Sequence, residues 1–91
     1  MAFFVMYYCY ILYSHRINKY YIGSTADLNE RLQRHNCSHK GFTSTGKPWE
    51  IKYYEVFESK GRAIRREMEL KSYKDRNKLE ELIRAGSEHP G

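Results

Sequence analysis

KYYIGSTADLNERLQRHN, residues 19–36, reads as a strand that stops at a glycine and feeds a helix. Residues 19–24 combine aromatic and β-branched side chains, and Gly23 marks the strand's end. Asp27 followed by Glu30 has the spacing of an N-cap with its capping-box partner, which predicts a helix over 28–37. Leu28 and Leu32 form the apolar stripe of that helix. Arg31 and His35, four residues apart, lie on a rail beside the stripe, bordering the core rather than pointing away from it. Aromatic strands and charged helices are ordinary, so whether paired tyrosines followed by a cation and an imidazole mean more than packing is decided by the rest of the chain.

The neighbouring segments complete a small fold. Residues 3–13 are an almost unbroken apolar and aromatic run, the pattern of a central strand buried on both faces. HRIN (15–18) is turn material in which Asn18 is suited to a positive φ, so the two strands form a hairpin. CSHKGFTSTGKP (37–48) is a long polar loop, and WEIKYYEVFE (49–58) alternates as a third strand. Ser59 caps a helix over 60–72, and 73–86 reads as a last helix. The order β-β-α-β-α-α predicts an α/β (α+β) fold, a three-stranded antiparallel sheet flanked by about three helices. It forms one domain over 1–85, with a flexible tail at 86–91.

Ninety-one residues support one domain with one modest core. Sixteen Lys and Arg against eleven Asp and Glu give a net charge of +5, which favours a polyanionic partner, nucleic acid first. Composition alone leaves open a basic protein with no such partner. Cys9 and Cys37 make neither a disulfide framework nor a metal knuckle, which points to a reducing compartment. The apolar N-terminal run lacks a basic leader and a small-residue cleavage site and is too short to span a bilayer. The expectation is therefore a cytoplasmic protein without a membrane partner.

On the 60–72 helix, Ala63, Ile64, Met68 and Leu70 define an apolar arc into which Glu67 and Lys71 intrude. Arg62, Arg65, Arg66 and Glu69 fall on its exposed side. An inward carboxylate is costly unless compensated. Either Glu67 pairs with Lys71 one turn on, or it faces a polar cleft and holds a divalent cation.

Tyr10 within YCYIL, Tyr21-Ile22-Gly23, Arg31, His35 and Glu67 occur in an order and spacing that resembles the GIY-YIG nuclease superfamily, particularly its small stand-alone members, over roughly residues 4–80. The second tripeptide is intact. The first is degenerate, with Tyr8-Cys9-Tyr10 where Gly-Ile-Tyr would stand. The resemblance implies a metal-dependent endonuclease that hydrolyses phosphodiester bonds in DNA, with RNA not excluded, structure-selective or weakly selective, in DNA repair or recombination. It assigns Tyr10 and Tyr21 to deprotonating or orienting the attacking water, Arg31 to the scissile phosphate, and His35 to a position held by histidine or tyrosine. Glu67 matches the ligand of a single Mg²⁺ or Mn²⁺, and Gly23 lets the strand approach the cleft.

The chemistry is coherent. An arginine fork suits phosphate, one carboxylate with waters suits Mg²⁺, and a nearby cation lowers the high pKa of a phenol. Taken singly, each residue also has an ordinary reading, as a strand aromatic or a solvated helix side chain. Their joint order favours the site. Lys40 and Lys47 on the loop, with Arg65 and Arg66, are candidates to track a phosphate backbone, or else form a solvated surface. The sequence carries no separate recognition module, so target choice falls to substrate shape or to a protein partner. Two other classes stay open: a nucleic-acid-binding module with this fold and little catalysis, and a small interaction protein with an incidental basic face.

Overall fold

Asn18 adopts a left-handed backbone, φ 54°, and closes the turn between strands β1 (Tyr7–Ser14) and β2 (Lys19–Thr25). The computed structural model describes residues 5–37 and 42–86. β3 (Trp49–Phe57) pairs antiparallel with the other edge of β1, giving the order β2-β1-β3. The central position of β1 accounts for its apolar run. Cys9 and Ile11 on one face, and Tyr10 and Leu12 on the other, are all buried.

Each face has its own helical cover. Helix α1 (Leu28–Asn36) brings Leu28 and Leu32 against Tyr10, Leu12, Trp49 and Tyr21. On the opposite face, Leu70 of α2 (Lys60–Lys71) and Leu79 of α3 (Arg76–Gly86) pack against Cys9, Ile11 and Ile22. Burial there, with Glu55 nearby, pushes the Cys9 thiol up to about 12. The three-stranded antiparallel sheet and the β-β-α-β-α-α order are those read from the sequence.

Local chemistry moves several boundaries. β1 starts at Tyr7, where pairing with β3 begins at Tyr7↔Phe57, and residues 3 and 4 of the expected strand lie outside the described residues. β2 continues through Gly23 to Thr25. Asp27 does cap α1, its Oδ1 accepting the Glu30 N–H at 3.0 Å. The expected reciprocal bond is replaced: the Asp27 N–H donates to Thr25 Oγ1 at 3.1 Å, and Glu30 accepts from Arg34 at 2.6 Å. The 37–48 loop contains a 3₁₀ turn, Phe42–Gly46, tied down by Ser14 Oγ donating to the Gly46 carbonyl at 2.6 Å. Ser59 caps α2 as expected. The last helix begins at Arg76, not residue 73, because Asp75 accepts the Asn77 N–H and stops the chain short of that point.

The apolar arc assigned to α2 is corrected. Ala63 and Leu70 are buried, but Ile64 and Met68 are exposed, Met68 at 66%. The line that meets the sheet runs 63, 66, 67, 70, at the spacing of one helix face. Arg66 can take an inward place because Glu55 of β3 receives its guanidinium through three contacts of 3.0–3.2 Å. Of the residues assigned to the tail, 86–91, Gly86 ends α3, and 87–91 lie outside the described residues.

Candidate functional site

Tyr10 stands directly opposite Gly23 in the hairpin, and Tyr21 opposite Leu12. Opposed residues share a face, so this register puts both tyrosines on the α1 side of the sheet, a relation the sequence left open. A Cβ at position 23 would lie 2.5 Å from the Tyr10 phenol oxygen and 2.7 Å from its Cζ. The missing side chain of Gly23 is thus the space that the Tyr10 phenol fills over the edge strand β2. Gly23 matters here for close approach rather than as a strand terminator.

The phenol oxygen of Tyr10 lies 3.1 Å from Nε2 of His35, which α1 carries into the core at 8% exposure. The Tyr21 ring packs against the same imidazole with centroids 4.7 Å apart, and against Trp49 at 6.2 Å. The end of α1 is fixed by Asn36, whose amide accepts from the Trp49 N–H at 2.6 Å and donates to the Trp49 carbonyl at 3.0 Å. His35 is therefore held by the helix, by both tyrosines and by the start of β3. Burial raises the Tyr10 phenol well above its ordinary range, and the electrostatics of Tyr21 and Glu67 add to this. The Arg31 guanidinium pulls it back down.

Arg31 is half-buried, and its Nε is buried without a hydrogen-bond partner. Native structures rarely leave a charged donor in this state, because the desolvation cost goes uncompensated. Arg31 helps line an open cleft of about 390 Å³ where the end of β2 runs out between α1 and α2. Ser24, Thr25 and Asp27 form one wall, Glu30 belongs to α1, and Lys60 and Ala63 belong to α2.

Glu67 lies one helical turn beyond Ala63 on α2. Its side chain is 18% exposed, with one oxygen accepting from Ser24 Oγ at 2.7 Å and the other from Lys71 Nζ at 2.6 Å. Ser24 is opposite Cys9, so it faces α2, whereas Tyr10 and Tyr21 face α1. The five residues therefore do not line a single face of the sheet: the constellation straddles the edge strand at Gly23–Ser24. The reason is that α1 and α2 cover opposite faces and meet only around that edge. Glu67 still acts on Tyr10 electrostatically. The ion pair with Lys71, one of the two readings of the inward carboxylate, is formed.

The outlying basic residues divide. Arg65 is exposed and Lys47 half-buried, while Lys40 lies outside the described residues. Arg66, expected on the exposed side, is instead committed to Glu55 and Glu69, with a side-chain exposure of 21%. Its bond to Glu55 raises its pKa further above the ordinary arginine value. Sequence reading missed Ser24, Lys60 and Asn36. Only Lys60 carried a signal, as a cation at the start of a helix, and nothing local tied it to Arg31. Among the described residues no group of three or more His, Cys, Asp or Glu side chains could hold a metal, and no helix is long and apolar enough to cross a membrane.

Residues 6–80 match the GIY-YIG catalytic domain. A UPF0213 protein of Staphylococcus haemolyticus is 39% identical over 64 residues, covering 68% of this chain and 77% of the relative. A UPF0213 protein of Staphylococcus aureus is 35% identical over 60 residues, covering 65% and 73%. The solution NMR structure of a UPF0213 protein from Bacillus halodurans superposes with a TM-score of 0.56 at 26% identity, covering 91% of this chain and 88% of that one. With the motif residues on the strands and helices described above and a match over most of its length, the chain belongs to the GIY-YIG catalytic domain family.

Proposed function

We propose that the protein is a metal-dependent endonuclease that hydrolyses phosphodiester bonds in DNA, with weak or structure-based selectivity. The observation that carries the reading is the buried, unpartnered Nε of Arg31, a residue of the cleft lining whose guanidinium also bears electrostatically on Tyr10. A phosphate oxygen is the acceptor this donor lacks, and a planar guanidinium binds it while countering the charge that develops during displacement.

Tyr10 and His35 handle the proton. Burial keeps the phenol protonated near neutral pH, so it can accept a proton from the attacking water only as it releases its own. His35 Nε2, 3.1 Å away, is the acceptor for that release in the tautomer that leaves Nε2 unprotonated. Tyr21 fixes the plane of the imidazole by ring contact. Lys60, across the cleft from Arg31, adds a second cation for the phosphate backbone.

The donor set fits one Mg²⁺ or Mn²⁺. Glu67 offers a hard carboxylate beside the Ser24 hydroxyl, and its Oε2 already accepts a cation in Lys71. A lone carboxylate suits an ion that keeps most of its water. When bound, the ion supplies Lewis acidity and support for the leaving oxygen. Target choice rests on substrate shape or a protein partner, and the cytoplasm and DNA repair or recombination are the proposed setting. The test is incubation with supercoiled, branched and single-stranded DNA in Mg²⁺ or Mn²⁺. Cleavage that Glu67→Gln abolishes supports the proposal, and cleavage that survives this substitution overturns it.

One observation favours a second reading. Lys71 occupies Glu67 at 2.6 Å, which suits a nucleic-acid-binding module with little catalysis. Salt-sensitive DNA binding with no cleavage of any substrate would select it.

A further inference from the structure

We propose that Lys71 is the resident counter-ion of the Glu67 site and is displaced by the divalent cation, so that metal entry and release of the Lys71 ammonium are one linked event. This rests on the reading of Glu67 as the metal ligand and adds to it a built-in competitor that sets the metal threshold.

The two oxygens of Glu67 have different partners. Oε1 accepts from Ser24 Oγ at 2.7 Å, a neutral donor on the sheet. Oε2 accepts from Lys71 Nζ at 2.6 Å. The Ser24 contact is compatible with a bound cation, since the hydroxyl can rotate and offer a lone pair. The Lys71 contact opposes one, because an ammonium and a divalent ion on the same carboxylate oxygen repel each other at close range. Accessibility differs in the same sense: the Lys71 side chain is 53% exposed and Glu67 only 18%. The carboxylate is fixed, and the ammonium on its flexible stem has solvent to move into.

The pair also has a purpose in the metal-free protein. A largely buried carboxylate without a cation is destabilising, and Lys71 removes that cost. The neighbouring cation does not serve instead, because the Arg66 guanidinium is engaged by Glu55 and Glu69. Linkage then requires reciprocity: whatever free energy the pair contributes is subtracted from metal binding, and the metal frees the ammonium by the same factor. An ion pair of this kind, solvent-exposed on the lysine side, corresponds to roughly a two- to fivefold difference in affinity.

The experiment is titration of the full chain with Mn²⁺, followed by electron paramagnetic resonance of the free ion, for the native protein, Lys71→Met, Lys71→Gln and Glu67→Gln. The expected result is tighter binding, about two- to fivefold, in both Lys71 variants, and loss of binding in Glu67→Gln. In parallel, the Lys71 ammonium ¹⁵N resonance of the native protein, followed during Mg²⁺ addition, is expected to lose its hydrogen-bonded protection. That signal tests the proposal even where a variant fails to fold. Equal Mn²⁺ affinity with and without Lys71, still abolished by Glu67→Gln, overturns the counter-ion and leaves the metal reading standing. Binding unaffected by Glu67→Gln, or no binding to any form, overturns both.

Discussion

The phenol of Tyr10 occupies the volume that any side chain at position 23 would need. A Cβ built on Gly23 meets the Tyr10 oxygen at 2.5 Å and Cζ at 2.7 Å. The two residues are directly paired across β1 and β2, so neither strand can move to relieve the contact without breaking the hairpin. This relation delivers the phenol to His35 and explains why a glycine stands inside a strand, where it otherwise weakens one.

Gly23→Ala is therefore expected to push Tyr10 off its position and to destabilise the fold by about 1–3 kcal/mol, the range for overpacking a filled site. Urea unfolding checks it, and an unchanged midpoint would contradict the close packing of the pair.

Alkaline pH is expected to unfold the protein. Burial pushes the Cys9 thiol up to about 12 and raises the Tyr10 phenol; burial, with a hydrogen bond to Glu55, pushes the Tyr53 phenol up to about 12. In each case the neutral, protonated form is favoured in the folded chain. The stabilisation is complete below the unfolded values, about 8.5 for cysteine and 10 for tyrosine, and is lost as pH rises from there through the folded values. Urea midpoints measured upward from about pH 8 should be flat at first and then fall steeply towards pH 12. A midpoint constant throughout that window would contradict the burial of these groups.

The two adjacent arginines of α2 should behave differently. Arg66→Met leaves Glu55 and Glu69 without their shared cation and is expected to cost about 1–3 kcal/mol of stability. Arg65→Ala, at an exposed position, should change stability by less than about 0.5 kcal/mol. If the basic surface contacts DNA, it should also reduce the salt dependence of binding by about one counter-ion. Thermal unfolding with binding measured at several salt concentrations separates the two.

The contrast between these arginines shows where sequence reading stops. Asn18, Asp27 and Ser59 were legible because their effects are local: a positive φ and two helix caps are decided within a few residues. Arg31 and His35 were legible because the helical period sets them beside Leu28 and Leu32. Arg66 was not, because the group that draws it inward is Glu55, on a different strand. The Tyr10–Gly23 pairing depends on hairpin register, and the Ser24–Glu67 bond depends on how α2 docks across the sheet, neither of which has a local signature. The same non-local packing puts Glu67 on the other side of the edge strand from the tyrosines.

The central claim is that Arg31 meets the scissile phosphate. Its most direct test is the rate of cleavage by Arg31→Ala at saturating branched DNA and Mn²⁺, with DNA affinity measured alongside. Loss of one charge-stabilising donor is expected to lower the rate about 10²–10³-fold while binding changes little. Cleavage by Arg31→Ala within about twofold of the native rate, a difference under 0.5 kcal/mol, would contradict the account.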